Sequence, residues 1–307
     1  MAVSFFDEYI ALVRENRDFR NLWFSQMISL LGDWFNLIAS AALVADLSGS
    51  GLAIGGLFIA RLLPPFLLGP VVGVVADRFD RKKILIASDL LRAVVVLGFL
   101  LVRSEADIWL LYVLTVLQLS ISAFFEPTRA AVLPSVVEYR QLVTANALSS
   151  ITWSTMLAFG AALGGLATAA LGFTSAFIID AFTYLLSAWF ILRVVIPATS
   201  EEIGTISGSG WQTFVEGMRY LWLRPPILVL ALLKASSSVA FGGIEIVQVT
   251  FAEETFRIGD DASATLGLIY LAVGLGTGLG PLVARRVTGD TPPPMYWAIL
   301  VAYIAMV

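Results

Sequence analysis

The stretch GVVADRFDRKK, residues 73–83, places six charged residues within seven positions between two apolar segments. A long apolar segment precedes it, and the segment that follows, ILIASDLLRAVVVLGFLLV (84–102), is again almost entirely apolar. Apolar segments of about 20 residues are long enough to cross the hydrocarbon core of a membrane as helices. The stretch therefore predicts a short charged loop at the membrane surface, between two transmembrane helices.

The composition of the whole chain agrees with a membrane protein. Hydrophobic residues make up 58% of the 307 residues and charged residues 14%, whereas soluble domains carry about 25% charged residues. Mean hydropathy is +0.87. These values predict an all-α integral membrane protein of the cell membrane. The net charge of −4 without a basic tail argues against nucleic acid as a partner.

The chain contains no cysteine and no histidine. Disulfides and thiolate metal sites are therefore excluded, and the commonest proton shuttle and metal ligand is missing as well. No metal and no cofactor are expected. The same absence argues against a membrane enzyme, which would need a metal site or a nucleophile with its base.

Apolar segments predict eight spanning helices and a ninth that begins near Pro294. The eight are placed at 20–46, 52–75, 83–103, 107–132, 142–170, 173–195, 226–251 and 264–284. We expect the chain to stop inside the ninth helix, which leaves the second half of the fold truncated. Residues 1–20 are expected to form an amphipathic lead-in on the membrane surface.

The distribution of Lys and Arg predicts how the helices are oriented, because cytoplasmic loops are enriched in these residues. Fourteen of the nineteen basic residues lie on the side of the N-terminus, and two lie on the other side. The two are Arg103 and Arg257, whereas Arg61, Arg92 and Lys234 fall inside spans. The N-terminus and the stretch 73–83 are therefore expected in the cytoplasm.

Two halves are predicted from a polar segment and an internal similarity. PATSEEIGTISGSG, from Pro197, is the longest polar stretch, and an amphipathic segment follows it. We expect a first bundle at 1–196, a linker with an interfacial helix at 197–224, and a second bundle at 225–307. Residues 56–70 and 267–281 both start Gly-Leu and end Leu-Gly-Pro at the same spacing, as a duplication would leave them.

The charged loop resembles the signature Gly-x-x-x-Asp-Arg-x-x-Arg-(Arg/Lys) of the major facilitator superfamily. The matching residues are Gly73, Asp77, Arg78, Arg81 and Lys82. Asp80 stands where the more widespread form has Gly. FFEPTRAAVLPSVVEYRQLVTANAL (124–148) is similar to the helix four–five region of the enterobactin-exporter and macrolide-efflux branch, and Gly32–Trp34 fits it too.

The resemblance implies two six-helix bundles and a loop that ties the halves together on the cytoplasmic side in the outward-open state. Local chemistry suggests how the loop would work. We expect Gly73 to allow close helix approach and Asp77 to cap the helix that follows. Arg78, Arg81, Lys82 and Lys83 would face anionic headgroups or the other half of the bundle. The alternative, above all for the two lysines, is an ordinary basic cytoplasmic loop.

Charges inside the spans are candidate functional residues because each is costly to bury in lipid. Asp33 and Arg61 lie at similar depth on neighbouring helices, which makes them a plausible pair. Two further pairs are expected within single helices, at a spacing of three residues: Asp89 with Arg92, and Glu126 with Arg129. The remaining candidates for proton coupling or substrate contact are Asp180, Lys234 and Glu245. The alternative is that each acid only neutralises a base.

FGAALGG (159–165) resembles the antiporter signature Gly-Pro-x-x-Gly-Gly, with Ala161 in place of Pro. Small residues at this spacing are also an ordinary helix-packing surface, so the segment does not decide for an antiporter. Aromatic residues in the first bundle, such as Trp34 and Tyr184, would suit a lipophilic substrate or simple packing.

These features predict a secondary transporter that exports a small amphipathic molecule, driven by protons. No phosphate-binding loop for ATP occurs in the sequence. A lysophospholipid flippase or uniporter of the same fold, and a non-transporting membrane scaffold, remain the alternatives. The expected partners are a small-molecule substrate, protons and the lipid bilayer, and the protein is expected to be a monomer.

Overall fold

The computed structural model describes residues 5–196, 210–256, 258 and 263–288. The polar part of the predicted linker, 197–209, and the predicted ninth helix from Pro294 lie outside the described residues. Within helices, the side chains of Asp77, Lys234 and Glu245 also lie outside the described part.

The described part is helical, without a strand. Its α-helices are α1 (Phe5–Glu15), α2 (Arg17–Ser48), α3 (Gly51–Arg78), α4 (Arg81–Gly98), α5 (Ile108–Val136), α6 (Leu142–Thr155), α7 (Ala161–Leu192), α8 (Gly210–Trp222), α9 (Pro225–Glu254) and α10 (Ser263–Thr288). A 3₁₀ turn, Phe99–Leu101, extends α4, and a π-helical turn, Met156–Gly160, joins α6 to α7.

Within the described residues, five segments are long and apolar enough to cross a membrane. They are Arg17–Ser48, Gly51–Gly69, Arg81–Leu101, Glu105–Val136 and Tyr139–Leu192. The last one is 54 residues long, far more than the roughly 20 residues that one crossing needs. Gly172 interrupts it with φ 80° and ψ 167°, a conformation that glycine adopts without a Cβ penalty. The break falls between the predicted spans 142–170 and 173–195.

The N-terminal helix α1 packs against the bundle. Its Leu12 is buried beside Phe19 and Leu22 of α2. Asn16, between the two helices, accepts a hydrogen bond from the Phe19 amide and donates one from Nδ2 to the Val136 carbonyl of α5. The sequence predicted a lead-in that lies on the membrane surface. This prediction was incomplete, because one face of α1 packs into the protein core.

Two buried apolar clusters occupy opposite ends of the helices. The proximal cluster, near the chain start and the 73–83 loop, contains Leu12, Phe19, Leu22, Leu85, Phe125, Val132, Leu133, Val136, Val137, Ala145, Ile191 and Val194. The distal cluster includes apolar residues between Phe35 and Ala45 of α2, together with Phe58, Phe99, Phe177 and Tyr184. It also includes Val249 and Ala252 of α9 and Leu266 and Tyr270 of α10. Between the clusters lies a layer of buried polar side chains.

Helix α10 reaches the first bundle through glycines. A Cβ added at Gly274 would lie 2.4 Å from the Ala158 amide nitrogen, in the π-helical turn. One added at Gly267 would lie 2.9 Å from the Ala161 carbonyl oxygen. The segment 159–165 therefore serves close helix packing, as small residues commonly do in membranes. Trp34 of α2 and Tyr270 of α10 add a ring contact at 5.5 Å between centroids.

This packing predicts that Gly274→Ala destabilises the protein and that Gly276→Ala does not. A Cβ at Gly276 would meet no atom within 4 Å, so that variant should gain only the helix preference of alanine, about 1 kcal/mol. At Gly274 the new methyl group meets backbone, which cannot move aside, and we expect a loss of about 1–3 kcal/mol relative to the control. Thermal unfolding in detergent measures the difference, and equal stability of the two variants would contradict the described contact.

Candidate functional site

A buried arginine is the centre of the polar layer. The side chain of Arg92, on α4, is only 1% exposed. Its Nη2 donates to Asp89 Oδ1 at 2.5 Å, and its Nη1 lies 4.0 Å from Asp33 Oδ2 of α2. Its Nε donates to the Ser88 carbonyl at 3.4 Å. A buried charge is tolerated when it is paired and hydrogen-bonded, and Arg92 meets both conditions.

Aromatic rings cover the Arg92 guanidinium. Its Cζ lies 4.6 Å from the ring centroid of Phe125 on α5 and 4.2 Å from that of Tyr184 on α7. Such cation–π contacts are worth about 2 kcal/mol or more when they are desolvated. The rings also fix the position of the guanidinium between α4, α5 and α7.

A chain of hydrogen bonds connects Asp33 to two other helices. Gln118 of α5 donates from Nε2 to the Tyr184 hydroxyl at 3.0 Å. The Tyr184 hydroxyl donates in turn to Asp33 Oδ1 at 2.5 Å. The side chain of Asp33 is 30% exposed, whereas those of Arg92 and Asp89 are almost fully buried. Asp33 is thus the acid of this group at the accessible edge of the layer.

The expected pairing of Asp33 with Arg61 was wrong. In the described part of the chain, the cation within 4.0 Å of the Asp33 carboxylate is Arg92. The reason is that α2 packs most extensively against α7 and not against its sequence neighbour α3. The sequence therefore did not predict which helix carries the cation that faces Asp33.

A third acid, Asp180 of α7, is completely buried against α2. A Cβ added at Gly32 would lie 2.4 Å from Asp180 Oδ1, so the carboxyl group packs directly against the α2 backbone. Neither carboxylate oxygen has a hydrogen-bond donor among the described residues. Thr183, one turn away, donates to the Asp180 backbone carbonyl at 2.7 Å.

A second pair lies farther along α5. Arg129 donates from Nη2 and Nε to Glu126 Oε2 at 3.0 and 3.2 Å. The Glu126 side chain is 51% exposed and that of Arg129 only 9%. Here too the carboxylate is accessible while its guanidinium lies behind it.

The charged loop that opens the fold is capped by Asp80. Helix α3 continues to Arg78, and the Asp80 side chain accepts from the amides of Lys82 and Lys83 at 2.9 and 3.2 Å. The expectation that Asp77 caps the following helix was therefore wrong, because Asp77 lies in the last turn of α3. The residue that departs from the widespread form of the signature, Asp80, is the cap.

The basic residues of the loop bind backbone carbonyls at helix ends. Arg81 donates from Nη1 to the Ala131 carbonyl of α5 at 3.1 Å. Lys82 donates from Nζ to the carbonyls of Leu192 and Val194, at the end of α7, at 2.9 and 2.7 Å. A Cβ at Gly73 would meet nothing within 4 Å, so the expected close helix approach at Gly73 was wrong. Arg78 is exposed.

Sequence reasoning did not find the roles of Gln118 and Tyr184. One signal was available: Asp180, Thr183, Tyr184 and Ser187 recur at the spacing of one helix face within an otherwise apolar segment. All four are buried. A polar stripe on a spanning helix indicates a face that points toward other helices.

Comparison with known proteins identifies the family. A family model described as "Transmembrane secretion effector" matches residues 11–289, most of the chain. The chain belongs to this family of major facilitator superfamily transporters. It is accordingly a multi-pass membrane protein with the all-α fold of that superfamily, whose members are transporters and not enzymes.

Relatives of this transporter include proteins of the efflux branch. "Uncharacterized MFS-type transporter YfiS" of Bacillus subtilis is 34% identical over 73% of this chain and 54% of its own length. "Putative bacilysin exporter BacE" of Bacillus amyloliquefaciens is 26% identical over 91% of this chain and 69% of its own length. "Macrolide efflux protein A" of Streptococcus pyogenes is 24% identical over 70% and 53%. For two of these three, the alignment spans just over half of the relative.

The Asp80 cap predicts a graded response to substitution. Asp80→Ala removes the acceptor of two amides and should destabilise this transporter by about 1 kcal/mol, whereas Asp80→Gly should cost only a few tenths of a kcal/mol. Chemical or thermal unfolding of both variants measures the difference. Equal losses in the two variants would contradict the capping role.

The hydrogen-bond chain predicts that Tyr184→Phe is more damaging than Tyr112→Phe. The first change removes a bond to a carboxylate and also leaves Gln118 Nε2 without its acceptor, with an expected cost of about 1.5–3 kcal/mol. The second removes one bond to a neutral carbonyl, that of Ala53 at 2.7 Å, with an expected cost of about 1 kcal/mol. Unfolding free energies of the two variants, compared in one detergent, provide the test. A Tyr184→Phe protein as stable as Tyr112→Phe would contradict the described network.

Proposed function

We propose that this transporter exports a small amphipathic molecule and that protons drive the export. The observation that carries the proposal is Asp33, an accessible carboxylate joined to Tyr184 and facing the buried Arg92. Intramembrane acids of this kind are costly and usually serve ion or substrate pathways. Because the chain has no histidine, a proton pathway has to use carboxylates, tyrosine and water.

The coupling step follows from the charge on Asp33. As a carboxylate, Asp33 is attracted to Arg92 and accepts the hydrogen bond of Tyr184. When it takes up a proton, the attraction to Arg92 is lost, and α2 is free to shift against α4 and α7. A ligand can shift a conformational equilibrium only by its different affinity for the two states. The proton meets this condition, because its affinity for Asp33 differs between the state in which Asp33 faces Arg92 and the state in which it does not.

The accessible side chains suggest the chemistry of the substrate. Asp33 and Glu126 expose their carboxylates, while the guanidinium groups of Arg92 and Arg129 lie behind them. Arg61 is the partly exposed cation near this edge. Together with apolar helix faces, this arrangement suits an amphipathic molecule that carries a positive or zwitterionic group. The printed names of the relatives, an exporter and an efflux protein, agree with the direction.

The described conformation supports a state closed at one end. Side chains from α9 and α10 join the distal cluster, whereas the described members of the proximal cluster all come from residues 12–194. With the N-terminus in the cytoplasm, as the basic residues indicate, the distal end faces outward. We infer a transporter that is closed toward the outside in this conformation.

The charged loop is proposed to hold the cytoplasmic end of the first bundle. Arg81 and Lys82 tie the start of α4 to the ends of α5 and α7. A latch to the second half, through Asp77 and Arg78, remains the proposal that the signature suggests for the outward-open state. The two bundles at 1–196 and 225–307, the linker at 197–224 and the monomeric state are likewise proposals. Lys234 and Glu245 of α9 stay candidates for the second half of the pathway.

We predict that Asp33→Asn abolishes proton-driven accumulation but preserves substrate exchange. The amide can still accept from Tyr184, so the fold is retained, but it can neither attract Arg92 nor bind a proton. The measurement uses proteoliposomes of the full-length protein with an imposed pH gradient. The substrates form a panel of amphipathic compounds that includes ethidium, erythromycin and lysophosphatidylcholine, with Asp46→Asn, outside the polar layer, as the control.

The same experiment separates the candidate functions. Proton release that depends on one of these compounds supports an antiporter. Transport of lysophosphatidylcholine without proton movement would favour a flippase or uniporter, and the absence of any transport would favour a scaffold. Gradient-driven accumulation by Asp33→Asn at the wild-type level would contradict the coupling role of Asp33.

A further inference from the structure

The polar layer contains more acids than its buried cation can neutralise. Asp33, Asp89 and Asp180 come from three segments, α2, α4 and α7, and Arg92 is the fully buried cation among them. Asp89 holds one guanidinium nitrogen at 2.5 Å, and Asp33 is the second neighbour at 4.0 Å. Asp180 has no cation within 4.0 Å among the described residues. The layer therefore leaves one completely buried acid without a counterion.

The surroundings of Asp180 favour its neutral form. Its two oxygens have no donor in the described part of the chain, and the nearby Asn36 Nδ2 is itself buried without an acceptor. Asn36 faces Asp180 without reaching hydrogen-bonding geometry. An ionised carboxylate without a partner is far more costly to bury than a protonated one.

Few charged groups among the described residues act on Asp180. Asp33 on α2 repels a negative charge there, and Arg92 on α4 and Arg61 on α3 attract it. Tyr184 lies one turn along α7. The described side chains of α10, residues 264–276, carry no charge. The nearest attractive group, Arg92, is already engaged by Asp89 and Asp33.

We infer that Asp180 carries a proton in this conformation and that Arg92 is a counterion which Asp33 and Asp180 use in turn. When Asp33 takes up one proton from water, it loses its negative charge and no longer attracts Arg92. The guanidinium then turns toward Asp180, which releases one proton to water and becomes a carboxylate. One proton enters as one leaves, so the charge of the layer is unchanged, and at each stage Arg92 is shared by two carboxylates, Asp89 and one of the other two acids.

Gly32 and Tyr184 hold the groups of this exchange close to one another. Gly32 brings the α2 backbone against the Asp180 carboxyl group, one residue before Asp33. Tyr184 binds Asp33 through its hydroxyl and covers Arg92 with its ring. A movement of α2 against α7 therefore changes the surroundings of both acids and of their shared cation together. The inference that Asp180 is protonated does not depend on the proposed function. The role of this proton in transport does depend on it.

Infrared spectroscopy tests the inference directly, because the carbonyl stretch of a protonated carboxylic acid is separated from the bands of carboxylates. The full-length protein in lipid nanodiscs near neutral pH should show this band. Asp46→Asn, a matched change outside the polar layer, should retain this band. Asp180→Asn should remove it, and Asp33→Asn should remove it as well, because the neutral amide no longer attracts Arg92 and leaves the guanidinium to Asp180. All three changes keep the side-chain shape, and size-exclusion profiles verify that the variants fold.

The outcomes are distinct. A wild-type protein without the band, a band that Asp180→Asn leaves intact, or a band that Asp46→Asn removes would each overturn the inference, and a band that Asp33→Asn retains would contradict the exchange of Arg92. In proteoliposomes, Asp180→Asn should lose proton-driven transport and retain substrate exchange, because its amide cannot release a proton. If wild-type transport moves no protons, the proposed function fails while the infrared result still decides the state of Asp180. If Asp180→Asn transports as wild type does, the exchange of Arg92 is contradicted although coupling through Asp33 survives.

Discussion

The burial of one guanidinium group organises this membrane protein. Arg92 lies inside a bundle of membrane helices, bonded to Asp89 and facing Asp33, with the rings of Phe125 and Tyr184 on it. A charge in this position requires partners from several helices at once. The positions of α2, α4, α5 and α7 relative to one another therefore depend on it, and the two apolar clusters pack on either side of the layer that it creates.

The layer also connects the first bundle to the helices that follow it. Trp34, next to Asp33, contacts Tyr270 of α10, and the glycines of α10 rest on the π-helical turn and on α7. A π-helical turn in a spanning helix is often associated with function. A change of charge on Asp33 thus acts beside the contact between α2 and α10.

Much of the fold follows from the sequence, because the bilayer imposes helix lengths that can be read from apolar segments. The predicted break after residue 170 corresponds to the glycine conformation at Gly172. What local patterns do not contain is which helices face each other. Asp33 was paired with Arg61 because their helices are neighbours in sequence, yet α2 faces α7 and Arg92. Asp77 was taken as a cap because the end of α3 was placed too early, by three residues, and Asp80 has that role. The polar stripe of α7 is present in the sequence, but the prediction of helix contacts did not take it into account.

A double-mutant cycle between Arg92 and Asp89 tests the central role of the buried guanidinium most directly. Unfolding free energies are measured for wild type, Arg92→Met, Asp89→Asn and the double variant in one detergent. Each single change should cost about 3–5 kcal/mol, since it leaves a buried charge without its partner. The double variant should be more stable than the sum of the single effects implies, by about 2 kcal/mol or more. Additive losses, within about 0.5 kcal/mol, would contradict the account, because independent sites behave in this way.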